Sequence, residues 1–281
     1  MDTPTPHTPA TPPRGDALAV VTAARAHARD ALDEVRAVVM AGWGRSGRRD
    51  KADGTPVTDV DLLVDRTMVG GIREAFPDHA VVSEEGMTRW DGSAWTWIVD
   101  PIDGTTNYAA GVPYWATSLA LAHRGEVVWG LVDAPALDLR IEAVRGHGTT
   151  SNGDPVHVAA PVDLTDPATR HAPMAVSPGT IRQVIDGTYF KARILGAYAL
   201  DLALVAEGSL VAAFLRVPKV WDVAAGMLLV TEAGGGIVEF STPGNLPLQP
   251  DVELATRGVR TAAGPNAEWA AQATTRLWPK G

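Results

Sequence analysis

The chain has 281 residues, 46% of them hydrophobic and 20% charged, enough for a substantial core in one large domain or two ordinary ones and not the composition of a disordered protein. A formal charge of -9 argues against a general nucleic-acid or membrane-surface binder. The absence of cysteine excludes disulfides, thiolate metal sites and cysteine nucleophiles.

Residues 1–14 are rich in Thr and Pro and lack an apolar core, so they are expected to form a disordered tail and not a signal or anchor. No later run is apolar for long enough to span a bilayer, and a cytoplasmic protein is the expectation. Asp16 can cap a helix from Ala17 to about Met40, with Val20, Val21, Ala24, Ala28, Leu32, Val35 and Val39 as its apolar stripe. The basic cluster Arg45, Arg48, Arg49 and Lys51 reads as a solvated loop. Thr58-Asp59-Val60-Asp61 has capping-box spacing and opens a second helix carrying Leu62, Leu63, Val64, Met68 and Ile72, which ends at Pro77-Asp78. Ala80-Val81-Val82 is a short buried strand delivering Ser83-Glu84-Glu85-Gly86 at its end.

Trp97-Ile98-Val99 ends a second buried strand and leads into Asp100-Pro101-Ile102-Asp103-Gly104-Thr105-Thr106-Asn107. Pro101 fixes its own φ and has no N–H, so the ladder should break here and the chain turn stiffly. Asp100 and Asp103 can then converge on one point, Gly104 allows close approach of a ligand, and Thr105-Thr106-Asn107 can start a helix. Hard oxygen donors beside a helix start suit Mg²⁺ together with phosphate.

Thr117–Ala122 and Val127–Val132 form a hairpin through His123-Arg124-Gly125-Glu126, and Arg140–Val144 with Val156–Ala159 reads as a further pair. The first half, residues 15–160, is therefore expected to be two helices packed on a largely antiparallel sheet. The Pro/Asp/Thr-rich stretch Pro161–Ala172 separates it from a second lobe, residues 173–281. There we expect a helix near Thr180–Asp186, a strand near Ala192–Leu195, a helix from about Tyr198 to Ala206 and a strand from Leu210 to Val217. A last helix, Trp221–Ala233, is stopped by Gly234-Gly235-Gly236. Alternating strands and helices at that spacing imply an α/β layer. Asp222, at the start of this helix, is either a plain cap or a partner of Glu84, Glu85 and Asp100, which also sit at element ends.

Four blocks of the chain resemble the inositol monophosphatase-like family of Mg²⁺-dependent, lithium-sensitive phosphatases. They are Lys51 with Thr55-Pro56-Val57-Thr58-Asp59-Val60-Asp61, then Glu84-Glu85-Gly86, then Asp100 to Asn107, and finally Trp221-Asp222-Val223-Ala224-Ala225-Gly226 running into Thr231-Glu232-Ala233-Gly234-Gly235. Their order covers about Asp16 to Ala270. The resemblance implies an α/β (α+β) fold, a layered αβαβα sandwich of the inositol monophosphatase and fructose-1,6-bisphosphatase type, and a homodimer. It implies two to three Mg²⁺ ions: one held by Glu84, Asp100 and the carbonyl of Ile102, a second by Asp100, Asp103 and Asp222, and a weaker third near Glu84. By the same carry-over, Glu84 and Thr105 activate a water, Asp59 accepts the Thr105 hydroxyl, and the N–H groups of Gly104 and Thr105 hold phosphate. Glu85 and Asp61 are expected to support these residues, and His79, His123 and His147 to lie in loops.

The substrate side departs from the family. Leu215 stands where a polyol-binding Glu is usual, and Ala197-Tyr198 follows Gly196 where Ser or Thr and then Ala is common. Tyr198 can narrow the pocket, stack on a ring or simply pack. Arg216 and Lys219 can bring a cation to the leaving group or be solvated. The expected substrate side is thus Asp103, Gly196, Ala197, Tyr198, Leu215 and Arg216, and the expected substrate a small phosphorylated polyol or sugar. Fructose-1,6-bisphosphate, histidinol phosphate and 3′-phosphoadenosine nucleotides are the alternatives, and a non-catalytic binding protein on the same fold is the rival of another class. Neither nucleic acid nor membrane is expected as a partner.

Overall fold

A computed structural model describes residues 5–6, 11–51, 54, 56–178, 180, 185, 187–240, 244–250 and 252–278. In chain order the elements of the first half are β1 (Thr5–Pro6), α1 (Asp16–Gly42), β2 (Arg48–Asp50), β3 (Pro56–Thr58), α2 (Asp59–Ala75), β4 (Ala80–Ser83), β5 (Trp95–Asp103), α3 (Thr105–Ala110), β6 (Ala116–His123), β7 (Glu126–Ala134), β8 (Leu139–Val144), β9 (Thr149–Ser151) and β10 (Asp154–Val156). The second half adds β11 (Pro173–Val176), β12 (Lys191–Arg193), α4 (Tyr198–Ala206), β13 (Ala212–Leu215), α5 (Val220–Glu232), β14 (Gly236–Glu239), β15 (Thr261–Gly264) and α6 (Ala267–Leu277).

Among the described residues β4 to β10 form a seven-stranded sheet in the order β10-β9-β8-β7-β6-β5-β4, and a six-stranded sheet runs β1-β14-β15-β13-β11-β12. In the first, only β4–β5 is parallel. Three apolar clusters define the layers. The face of the first sheet that carries Trp97, Val99 and Leu121 packs on Val21, Ala28 and Leu32 of α1 and Met68 and Ile72 of α2. Its other face, with Ile98 and Ala120, shares a core with α4, α5 and Ala213, Leu215 and Ile237 of the second sheet. The far face of that sheet, with Met174, Phe214 and Val238, is covered by Ala270, Ala273 and Leu277 of α6. The result is the αβαβα sandwich. α4 and α5 are apolar nearly all round, as a helix layer between two sheets requires.

Several local expectations are corrected. Asp16 lies in the first turn of α1, whose N-cap is Gly15 with no side-chain cap. β8 pairs with β9 and not with Val156, which instead closes the β9–β10 hairpin through Asn152-Gly153. Short polar strands such as Thr149–Ser151 leave little periodicity to read. Of the tail, residues 1–4 and 7–10 lie outside the described residues, whereas Thr5–Pro6 pairs with Glu239 and Val238 and Pro13 is buried. The helix expected near Thr180–Asp186 falls largely on residues 181–184 and 186, also outside the described residues. No described helix is long and apolar enough to cross a membrane.

One buried charge helps to hold the first layer to its sheet. Glu142 of β8 accepts 2.7 Å bonds from Arg25 Nε and Trp129 Nε1 and also pairs with Arg29. Burial works to raise its pKa, but Arg25, Trp129 and Arg29 outweigh it and the value is lowered. The network therefore stabilises the fold above the ordinary Glu value of 4.5 and is lost as the pH falls through the depressed folded value. Glu142→Ala strands a buried indole N–H and leaves two arginines without their counter-charge, an expected loss of about 3 kcal/mol in urea unfolding. A loss below about 1 kcal/mol would show the network to be a surface ornament.

Candidate active site

β5 supplies the centre of the site through a break in its own pleat. Along a regular strand, residues three apart face opposite sides. Here the pairing with β6 shifts: Asp100 pairs with Ser118 and Asp103 with Ala116, so Pro101 and Ile102 together oppose Thr117. Thr117 Oγ1 donates to the carbonyl of Pro101 at 2.8 Å and secures the bulge. The phase flips as a result. Ile98 faces the α4–α5 layer, Ile102 packs on the α1–α2 side, and Asp100 and Asp103 both reach one cleft.

That cleft, about 400 Å³, is also lined by Glu84 from the end of β4, Asp222 from the first turn of α5 and Asp201 from α4. Asp100 is 1% exposed, and its Oδ1 has no hydrogen-bond partner. Asp103 lies on the start of α4, where Oδ1 accepts from the N–H of Tyr198 at 3.0 Å and Oδ2 from those of Ala199 and Leu200 at 2.7 and 3.3 Å. Asp222 Oδ2 accepts from the Lys219 N–H at 2.7 Å. Lys51 Nζ bridges Glu84 at 2.8 Å and Glu85 at 2.6 Å.

Burial and mutual repulsion dominate the electrostatics. Burial, then Glu84, Asp103 and Asp222, pushes the Asp100 pKa well above the usual carboxylate range. Burial, then Asp103 and Glu84, does the same to Asp222. Burial with Asp201 raises Asp103 to about 8 even against its three N–H bonds, and burial alone raises Asp201 to about 7. Burial also lifts Glu85 to about 7 despite Lys51. Lys51 itself is raised: burial works to lower it, and Glu84 and Glu85 prevail. In this conformation no three acids among the described residues enclose one point. Lys51 draws Glu84 aside, while Asp103 and Asp222 rest on backbone N–H groups. Hard oxygen donors, an orphaned Asp100 oxygen and uncompensated negative charge nonetheless fit a divalent cation.

Gly104, expected on the phosphate side, has φ +88°; a Cβ there would meet Ala197 Cβ at 3.0 Å and the Tyr114 carbonyl at 3.2 Å. Thr105 Oγ1 lies 3.0 Å from Asp61 Oδ1 and 3.1 Å from the Ile102 carbonyl. The expectation for Asp59 is therefore corrected. Thr58 is the N-cap of α2, so Asp59 is its first helical residue, 79% exposed and paired with Arg49, whereas Asp61 at the third position turns back onto the cap and reaches Thr105. Burial raises the Asp61 pKa against its hydrogen bonds from Thr58 and Thr105.

The substrate side is corrected in three places. Leu215 is fully buried in the core between the sheets, Arg216 is exposed at the strand end, and Ala197 is buried behind Gly104; none lines the cleft. Gly196 and Tyr198 do line it, joined by Val176, Ser177, Pro178 and Ile194, which sequence reasoning missed because they come from β11 and the loop before α4. Asn107, last residue of the octet, positions this loop by donating at 2.7 Å to the carbonyls of Leu195 and Tyr114. Asp201, also missed, accepts the Tyr114 hydroxyl at 2.8 Å on the cleft floor.

Comparison with known proteins agrees with this architecture. A fructose-1,6-bisphosphatase/inositol-1-monophosphatase of Thermotoga maritima is 34% identical over 212 residues, 75% of this chain and 82% of its own length. A protein of Xylella fastidiosa named Nus factor SuhB is 36% identical over 65% of this chain and 68% of its own. The solved structure of a Thermotoga maritima IMPase superposes with a TM-score of 0.73 at 29% identity, over 88% of this chain and 95% of that one. The model of the inositol monophosphatase family matches residues 18–278, and this chain belongs to that family of phosphatases.

Proposed function

We propose that the protein is a Mg²⁺-dependent phosphomonoesterase that hydrolyses a small phosphorylated polyol or sugar. The observation that carries this reading is the convergence of Glu84, Asp100, Asp103 and Asp222 on one cleft with an unpartnered buried Asp100 oxygen. In it, Glu84, Asp100, Asp103, Asp222 and the carbonyl of Ile102 would hold two to three ions. Bound Mg²⁺ supplies charge neutralisation at the phosphate and activation of a water.

The chain's own groups do the rest. A carboxylate and a carbonyl can only accept, so the Thr105 hydroxyl gives its proton to Asp61 or Ile102. Its oxygen lone pairs are then free to accept a hydrogen bond from the attacking water and aim it. Glu84 takes the water's proton as the water oxygen bonds to phosphorus and the ester P–O bond breaks, the departing alcohol oxygen ends protonated, and the phosphate lies against the N–H groups of Gly104 and Thr105. A homodimer and lithium sensitivity belong to the same reading through the family, and a cytoplasmic setting goes with it.

The test is phosphate release by the purified protein from inositol 1-phosphate, fructose 1,6-bisphosphate, histidinol phosphate and 3′-phosphoadenosine 5′-phosphate, with Mg²⁺ and with EDTA. We expect inositol 1-phosphate to rank first and EDTA to abolish turnover. An inositol phosphate rate about tenfold below all the others would refute the substrate choice. The relative named Nus factor SuhB supports a second reading, a binding role without catalysis. Retention of all four acids weighs against it, and metal-independent indifference to every substrate would favour it.

A further inference from the structure

Helix α2 reaches toward the candidate site at two points, one turn apart. Asp61 and Asp65, spaced i and i+4, share a face of the helix. Asp61 meets the Thr105 hydroxyl, and Asp65 meets that of Ser83, the residue before Glu84. Asp65 is 8% exposed, and Arg73, Arg66 and Lys51 attract it, yet among the described residues no cation forms an ion pair with it. A buried carboxylate held by one serine is a costly way to stabilise a fold.

The direction of that bond follows from the groups. An ionised carboxylate only accepts, so the Ser83 hydroxyl donates to Asp65 Oδ1, and its lone pair accepts from the Glu85 N–H at 3.3 Å. Ser83 thereby ties the turn at the end of β4 to α2. Backbone bonds close this turn on itself, from the Ser83 N–H to the Met87 carbonyl at 2.9 Å and from the Gly86 N–H to the Ser83 carbonyl at 3.2 Å. Packing does little beneath it. A cavity of about 190 Å³ lies between α2 and the turn, lined by Val69, Gly70 and Val81 as well as by Gly86 and Met87. Asp65 and Ser83 meet at its wall, where no side chain fills the gap to set the height of the turn.

Resting on the phosphatase reading above, we propose that Asp65 is a positioning residue, which acts through Ser83 to hold the turn that presents Glu84 to the cleft. One face of α2 then sets both sides of the site, Asp61 through Thr105 and Asp65 through Ser83. Asp65 itself does not line the cleft. Its effect is on where the Glu84 carboxylate can stand.

The test is Mg²⁺ binding by isothermal titration calorimetry without substrate, together with thermal unfolding in EDTA and steady-state kinetics on the best of the four phosphates above. Asp65→Ala and Ser83→Ala should each weaken Mg²⁺ binding about tenfold and lower kcat about as much, with KM within about twofold. The double variant should be no worse than either single one, because the two residues act as a unit. Asp65→Asn keeps a carbonyl oxygen toward Ser83 and should bind Mg²⁺ within about twofold of wild type. Adding Ser83→Ala to Asp65→Asn breaks the bond without orphaning a charge, so it should bring back the loss of about tenfold even where Asp65→Ala fails to fold. Alanine variants that melt lower in EDTA but bind Mg²⁺ as the wild type does would make the pair a fold contact only and overturn the proposal. So would single losses that add in the double variant. A wild type that binds no Mg²⁺ and releases no phosphate refutes the phosphatase reading and the proposal together, a result distinct from full activity indifferent to Asp65 and Ser83.

Discussion

Asp100→Asn removes phosphate release, by about 10³-fold or more, and at the same time makes the metal-free protein more stable. Both effects have one origin. Asp100 is buried among Glu84, Asp103 and Asp222, and its Oδ1 has no partner. On the proposed reading its charge draws the cation; without one it is a buried like charge. Its pKa is raised, so the penalty is absent below the unfolded value of 3.8 and grows as the pH rises toward the folded value. The stabilisation by Asn should follow the same course, reaching on the order of 1–2 kcal/mol at neutral pH and vanishing in acid. Added Mg²⁺ should reverse the order, stabilising the wild type by about 2.7 kcal/mol at a hundredfold excess over Kd and leaving the variant unmoved. Thermal unfolding of both proteins across pH, with and without Mg²⁺, decides it. A variant no more stable than wild type in EDTA would mean that the acids are relaxed apart in solution.

The second large effect separates two neighbouring aspartates. Asp61→Asn should lower kcat about 10²-fold with KM little changed, because an amide that donates toward Thr105 turns the hydroxyl proton around and removes the acceptor the water needs. Asp59→Asn should stay within about threefold of wild type, since among the described residues Asp59 pairs with Arg49 at an exposed position. Equal losses in the two variants would show that the start of α2 matters as a whole and that the Thr105 contact is incidental.

These two aspartates also mark how far the sequence could be read. The capping box and the existence of α2 follow from Thr58 and its spacing to Asp61, and the bounds of α4 follow from an apolar run between Gly196 and Gly208. The layered fold was legible for a similar reason, and Glu84, Asp100, Asp103 and Asp222 stood out because each lies at the end of an element; that they share one site was what the family resemblance implied. What failed depends on direction and not on identity. That Asp61 turns back onto Thr58 follows from the capping box, but that its other oxygen meets Thr105, a residue distant in sequence, does not. Whether Leu215 faces cleft or core is set by the phase of β13, which a four-residue strand does not reveal. Ser177 and Ile194 reach the cleft only through the parallel pairing of β11 with β12 and β13, a contact between distant segments.

The bulge in β5 carries a consequence for how such a chain tolerates change. Elsewhere its residues can be exchanged for others of like shape, and its loops can lengthen. Between Asp100 and Asp103 the number of residues is itself the functional quantity. Deleting Ile102 or inserting a residue beside it would keep every acid in the chain and still send one of the two to the α1–α2 side of the sheet. What is inherited at this point is a count, and it can be lost with every acid of the cleft still in the chain.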